Sequence, residues 1–116
     1  TLQIITISDE LFPEYRKRVD FIQKYIFPGG MLPSKKALEK QFSQVGLKSI
    51  NLKSFGSSYS KTLRLWHSSF NSVWDDIASV KFDDRFKRMW NFYLASCAAV
   101  FHSKTGDVIQ VTLKKS

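Results

Sequence analysis

The chain has 116 residues, of which 43% are hydrophobic and 15% aromatic, with a formal charge of +8 at neutral pH. This length allows one domain with a single modest core, and ten Phe, four Tyr and three Trp exclude disorder. The lone cysteine, Cys97, excludes an internal disulfide and fits a reducing compartment, and the longest apolar stretch, residues 93–101, is far short of the roughly 20 residues that span a bilayer.

Residues 2–7, LQIITI, read as a buried strand rich in β-branched side chains. Ser8 or Asp9 then offers an N-cap and Pro13 suits a first helical turn. Phe12, Tyr15, Val19, Ile22 and Ile26 keep 3-4 spacing, which predicts one amphipathic helix running to the break at Pro28-Gly29-Gly30. Ser34 caps a short helix with Ala37, Leu38 and Phe42 inward and Gly46 as its stop. Residues 47–54 read as a strand. Two long helices follow, one carrying Tyr59, Leu63, Trp66, Phe70, Val73 and Ile77 on one face. The other follows Asp83-Asp84 and aligns Phe82, Phe86, Met89 or Trp90, Tyr93, Cys97 and Phe101. Residues 108–113 alternate as a closing strand after Gly106.

The predicted order is β-α-loop-α-β-α-α-β, an α/β chain of about three strands and four helices. Three strands do not make a complete doubly wound sheet. A chain that opens inside a strand without methionine therefore reads as a piece of a longer protein. Basic and acidic residues are evenly spread, nine and five in each half, with no basic tail. A solvated surface is the simplest reading of that charge, although an anionic membrane or nucleic acid would also fit it.

The most informative stretch is DFIQKYIFPGGMLPS, residues 20–34. Proline fixes φ and glycine permits positive φ, so this is a stiff loop of defined shape that carries Tyr25, Ile26, Phe27, Met31 and Leu32. Bulky apolar residues on such a loop need either a covering element or an apolar ligand.

Taken with ITISDELF, SFGSSYSKTLRLW and FDDRFKRMWNFYLASCAAVF, this block resembles the cyclopropane-fatty-acyl-phospholipid synthases, in the C-terminal part of their catalytic domain. The resemblance implies that residues 1–116 are the C-terminal portion of a class I, Rossmann-like methyltransferase fold. They would supply the last three strands and the lipid-facing helical cover. It implies S-adenosylmethionine as the one-carbon donor, bound by the N-terminal part that this sequence lacks. Consistent with that, Gly29, Gly30, Gly46, Gly56 and Gly106 form no Gly-rich loop after a strand. In such enzymes a methyl group is added to a cis double bond of a phospholipid acyl chain, and loss of a proton closes the ring.

The resemblance also assigns roles. Tyr59 matches a tyrosine that helps to hold bicarbonate near the reacting carbon, and Ile7 matches an isoleucine whose backbone contacts the same ion. Ile5 stands where many members have a histidine ligand, which puts a full set of bicarbonate ligands in question. Tyr25, Phe27, Pro28, Gly29, Met31 and Leu32 would line or cover the acyl tunnel. Trp66, Phe70, Trp74, Trp90 and Tyr93 read as core, Cys97 as a buried small apolar residue, and His67 and His102 are too isolated for a metal site. The expected setting is cytoplasmic and peripheral to the membrane, with phospholipid acyl chains as partners and no nucleic acid. The unpaired edge strand of the piece would be open to oligomeric pairing or domain swapping. The isolated chain is expected to be inactive. The rival reading is a non-catalytic basic, aromatic domain that binds anionic lipid or acyl chains.

Overall fold

The computed structural model describes residues 1–116. Four β-branched side chains in the six-residue run LQIITI favour an extended chain, and Leu2–Ile7 form strand β1. A short helix, α1 (Phe12–Tyr15), a π-helical turn (Ile22–Ile26) and helix α2 (Lys35–Gln44) lead to strand β2 (Leu47–Ser54). Helices α3 (Gly56–Ser72), α4 (Trp74–Ile77) and α5 (Asp84–His102) precede strand β3 (Gly106–Lys115). No helix is long and apolar enough to cross a membrane.

The sheet order is β1-β3-β2, with β3 antiparallel to both neighbours. Opposed pairs Gln3–Gln110 and Ile5–Val108 put those side chains on one face, while Ile4–Ile109 and Leu2–Val111 lie on the other. Helices α3 and α5 cover the first face around Leu63, Leu94, Ala98, Phe101 and Val108. Helix α2, whose buried residue is Phe42, packs beside β2. Because β3 is central, Val108, Ile109 and Val111 are essentially buried.

Several local expectations hold. Ser34 accepts from the Ala37 amide and Asp83 from the Phe86 amide, so each caps its helix through its side-chain oxygen. Gly46 ends α2 at φ +74°.

Three expectations need correction. β1 is not buried: Leu2 and Ile5 are more than 40% exposed, because β1 is an edge strand with one side unpaired. The helix expected from Phe12 to Ile26 is broken, and Val19 is 74% exposed. A reciprocal pair starts a new turn there: the Gln23 amide donates to Asp20 Oδ1 and the Asp20 amide donates to Gln23 Oε1. The helix expected through Ile77 ends at Ser72 and restarts at Trp74, so there are five α-helices and a π turn instead of four helices. The weak helix formers of His67–Ser72 favour that break, and it tucks Trp74 against Phe70 and Phe86.

Burial is sparse. Only 14 of 116 residues are buried, and the Cα radius of gyration is 16.8 Å where about 13 Å is expected for a compact chain of this length. The accessible surface of 8272 Å² likewise exceeds the roughly 6,500 Å² expected of a compact protein of this mass. The exposed apolar residues include Leu2, Ile5, Phe27, Met31, Trp66 and Phe92.

Candidate functional site

The loop after β1 is held by its own polar groups. The Tyr15 hydroxyl accepts from the Leu32 amide at 2.9 Å, and Gln23 Nε2 donates to the Gly30 carbonyl at 2.9 Å. Phe27-Pro28-Gly29-Gly30 forms a tight turn in which the Gly30 amide donates to the Phe27 carbonyl, and Gly29 takes φ +80°. Proline at the second position and a positive-φ glycine at the third suit a type II turn. Phe21 anchors the loop to α5 through an edge contact with Phe92, their ring centroids 4.7 Å apart.

This turn holds Tyr25, Ile26 and Phe27 against the aromatic side of α3 and α5. Together with Trp66, Phe70, Phe86, Met89, Trp90, Tyr93 and Leu94 they line a groove of about 510 Å³ whose lining is entirely hydrophobic. Phe86 and Trp90 stack along one wall at 5.5 Å. Of the six tunnel residues expected from sequence, Tyr25 and Phe27 line the groove. Pro28 and Gly29 shape the turn beside it, and Met31 and Leu32 lie outside the lining. Phe70, Trp90 and Tyr93 pack against the core, as expected, and also wall the groove, whereas Trp66, expected in the core, is 55% exposed. Helical spacing marked their common face but could not say what that face meets. Trp74 is buried, as expected.

Tyr59 comes from the first turns of α3 and packs its ring on Phe55 and Phe101. Its hydroxyl accepts from Gln3 Nε2 at 3.1 Å, so its partner on β1 is Gln3 rather than Ile7. Ile7 lies four residues further along the strand, and its amide donates to the Pro33 carbonyl at 3.0 Å. With that amide committed, the Ile7 backbone can serve a ligand only as an acceptor. The Ile5 side chain shares the Tyr59 face and supplies no polar group there.

A second, polar cleft of about 860 Å³ lies at the carboxyl ends of β1 and β2. Asp107 organises it. Its carboxylate accepts from Lys35 Nζ at 2.8 Å, Ser54 Oγ at 2.7 Å, and the amides of Gly56 at 2.9 Å and Val108 at 2.8 Å. Burial alone would raise this carboxyl, but the hydrogen bonds from Lys35, Ser54 and Gly56, with the Lys35 charge, outweigh it and hold it below its ordinary value. Sequence gave no sign of this node, because its partners come from separate elements. Asp107 is engaged by these partners, one oxygen of Asp9 accepts from the Lys36 amide, and Lys61, Arg64 and Lys104 add positive charge to the lining.

Burial, reinforced by the charge of Asp20, pushes the Cys97 thiol up to about 11, so it stays protonated at neutral pH and is no nucleophile.

Comparison with known proteins gives a consistent picture. The model of the family described as mycolic acid cyclopropane synthetase matches residues 1–111. The tuberculostearic acid methyltransferase UfaA1 of Mycobacterium tuberculosis is 42% identical over 113 residues, covering 97% of this chain and 26% of that protein. The cyclopropane-fatty-acyl-phospholipid synthase of Escherichia coli is 36% identical over 95 residues, covering 82% of this chain and 24% of that protein. The chain thus spans about a quarter of the length of these two relatives. Among solved structures, the mycolic acid cyclopropane synthase CmaA1, complexed with SAH and CTAB, superposes with a TM-score of 0.83 at 28% identity. That match covers 98% of this chain and 43% of the other.

Proposed function

This chain belongs to the mycolic acid cyclopropane synthetase family, and from that premise we propose that it is the C-terminal portion of a lipid-modifying, S-adenosylmethionine-dependent methyltransferase. Its relatives are methyltransferases and cyclopropane synthases by name, and CmaA1 is solved with SAH bound. The parent enzyme adds a one-carbon unit from S-adenosylmethionine across a cis double bond of a phospholipid acyl chain while docked at the membrane surface. On this reading the donor site belongs to the remainder of the parent protein. The chain's own share is to hold the acyl chain and to place the group that removes a proton.

The groove between Tyr25, Phe27 and the α3–α5 aromatics carries this reading. An acyl chain leaving a bilayer exposes apolar surface at a cost of about 0.8 kcal/mol per CH₂, which a continuous hydrophobic wall offsets. Tyr59 supports the second role. Its ring is fixed by Phe55 and Phe101, and because its oxygen already accepts from Gln3, its proton is available to an anionic base such as bicarbonate. Ile7 adds at most a backbone acceptor.

Trp66→Lys in the parent enzyme tests the groove by placing a charge on a wall that is already half exposed. Turnover of long-chain unsaturated phospholipid should fall at least about tenfold, with a thermal midpoint close to that of the unaltered enzyme. Unchanged turnover would show that the chain runs elsewhere.

A further inference from the structure

Three side chains across the sheet form a hydrogen-bonded row beside the proposed base site. Gln110 on β3 and Gln3 on β1 are directly opposed in the strand register. Gln110 Nε2 donates to Gln3 Oε1 at 3.0 Å, and Gln3 Nε2 donates to the Tyr59 hydroxyl at 3.1 Å. As placed, Gln110 donates to the Gln3 oxygen, and the Gln3 nitrogen is the end that meets Tyr59. The phenol oxygen receives a hydrogen bond, and its own proton must point away from Gln3.

We propose that Gln3, oriented by Gln110, is a positioning residue that makes Tyr59 an obligate hydrogen-bond donor to the anion it holds. The inference rests on the reading of Tyr59 given above. It also accounts for Ile5: a site without an imidazole on this strand has a polar group two residues earlier, on the same face. With its ring packed between Phe55 and Phe101, Tyr59 needs only its hydroxyl rotor set, and one donor does that. Gln3 is exposed in this chain.

The test uses the parent enzyme in buffer depleted of carbon dioxide, with bicarbonate added back. Gln3→Leu should raise the half-saturating bicarbonate concentration about three- to tenfold and leave kcat at saturating bicarbonate within about twofold. Gln3→Glu should be worse than Gln3→Leu, because a carboxylate offers no donor and captures the phenol proton for itself. In a Tyr59→Phe background, Gln3→Leu should add no further loss, since it acts only through the hydroxyl. If Gln3→Leu leaves the bicarbonate response unchanged while Tyr59→Phe impairs it, Gln3 has no positioning role and the reading of Tyr59 stands. A Gln3→Glu enzyme as active as the unaltered one would mean that Tyr59 donates to position 3, the reverse of this assignment. A fully active Tyr59→Phe enzyme would remove the reading of Tyr59 and this inference with it.

Discussion

Tyr59→Phe in the parent enzyme is expected to lower turnover about a hundredfold while leaving the protein folded. The ring keeps its contacts with Phe55 and Phe101, and only the hydroxyl that meets Gln3 is lost. A well-placed donor to a developing or resident anion typically contributes about 10²–10³ in rate. If the parent closes a ring as proposed, the donor matters because ring closure requires a proton to leave the transferred carbon, and a base that drifts is a poor base. The loss should appear in kcat/KM for the unsaturated lipid at low bicarbonate and shrink as bicarbonate is raised. A loss below about threefold at limiting bicarbonate would assign Tyr59 to packing alone.

The second large effect lies away from the chemistry. Asp107→Ala should destabilise the fold by about 3 kcal/mol, because one carboxylate joins Lys35 of α2, Ser54 of β2 and the Gly56 amide at the start of α3. Removing it leaves the amides of the buried residues Gly56 and Val108 without acceptors at the point where three elements converge. Gly56 shows how closely they approach: a Cβ there would lie 2.6 Å from Asp107 Oδ1 and 3.1 Å from Asp107 Cα. The pH dependence follows from the sign of the shift. A carboxyl held below its unfolded value contributes fully above about pH 4, near the ordinary aspartate value, and less as pH falls through the folded value. Stability of the unaltered protein should therefore drop on acidification into that range, and Asp107→Ala should lose this component of the slope. Chemical unfolding at pH 7 and pH 3 measures both; equal slopes would show that Asp107 is not the titrating link.

Much of this was legible locally. Side-chain caps at Ser34 and Asp83, the stop at Gly46 and the stiff turn at Pro28-Gly29-Gly30 each depend on a few adjacent residues, and each is where the sequence puts it. The break before Ile22 was legible too, since Asp20 and Gln23 stand at capping-box spacing, but the apolar periodicity of Val19, Ile22 and Ile26 masked it. Exposure was not legible. LQIITI has the composition of a buried strand, and only the order β1-β3-β2 makes it an edge. Trp66 and Trp90 share a helical face with true core residues, and it takes the docked loop at Tyr25–Phe27 to turn that face into a groove. Asp107 and Gln3 were silent because their partners lie 51 to 72 and 56 to 107 residues away, where no spacing rule reaches.

As proposed, this chain supplies the lipid-holding side of a methyltransferase whose donor-binding side lies elsewhere in the parent protein. Transfer of label from methyl-labelled S-adenosylmethionine to vesicles of monounsaturated phospholipid, run with the parent protein and with the 116-residue chain alone, tests it most directly. The parent should label the acyl chains, with the former double bond bridged by one carbon, and the chain alone should label nothing. Labelled lipid from the 116-residue chain alone, or none from the parent, would contradict the account.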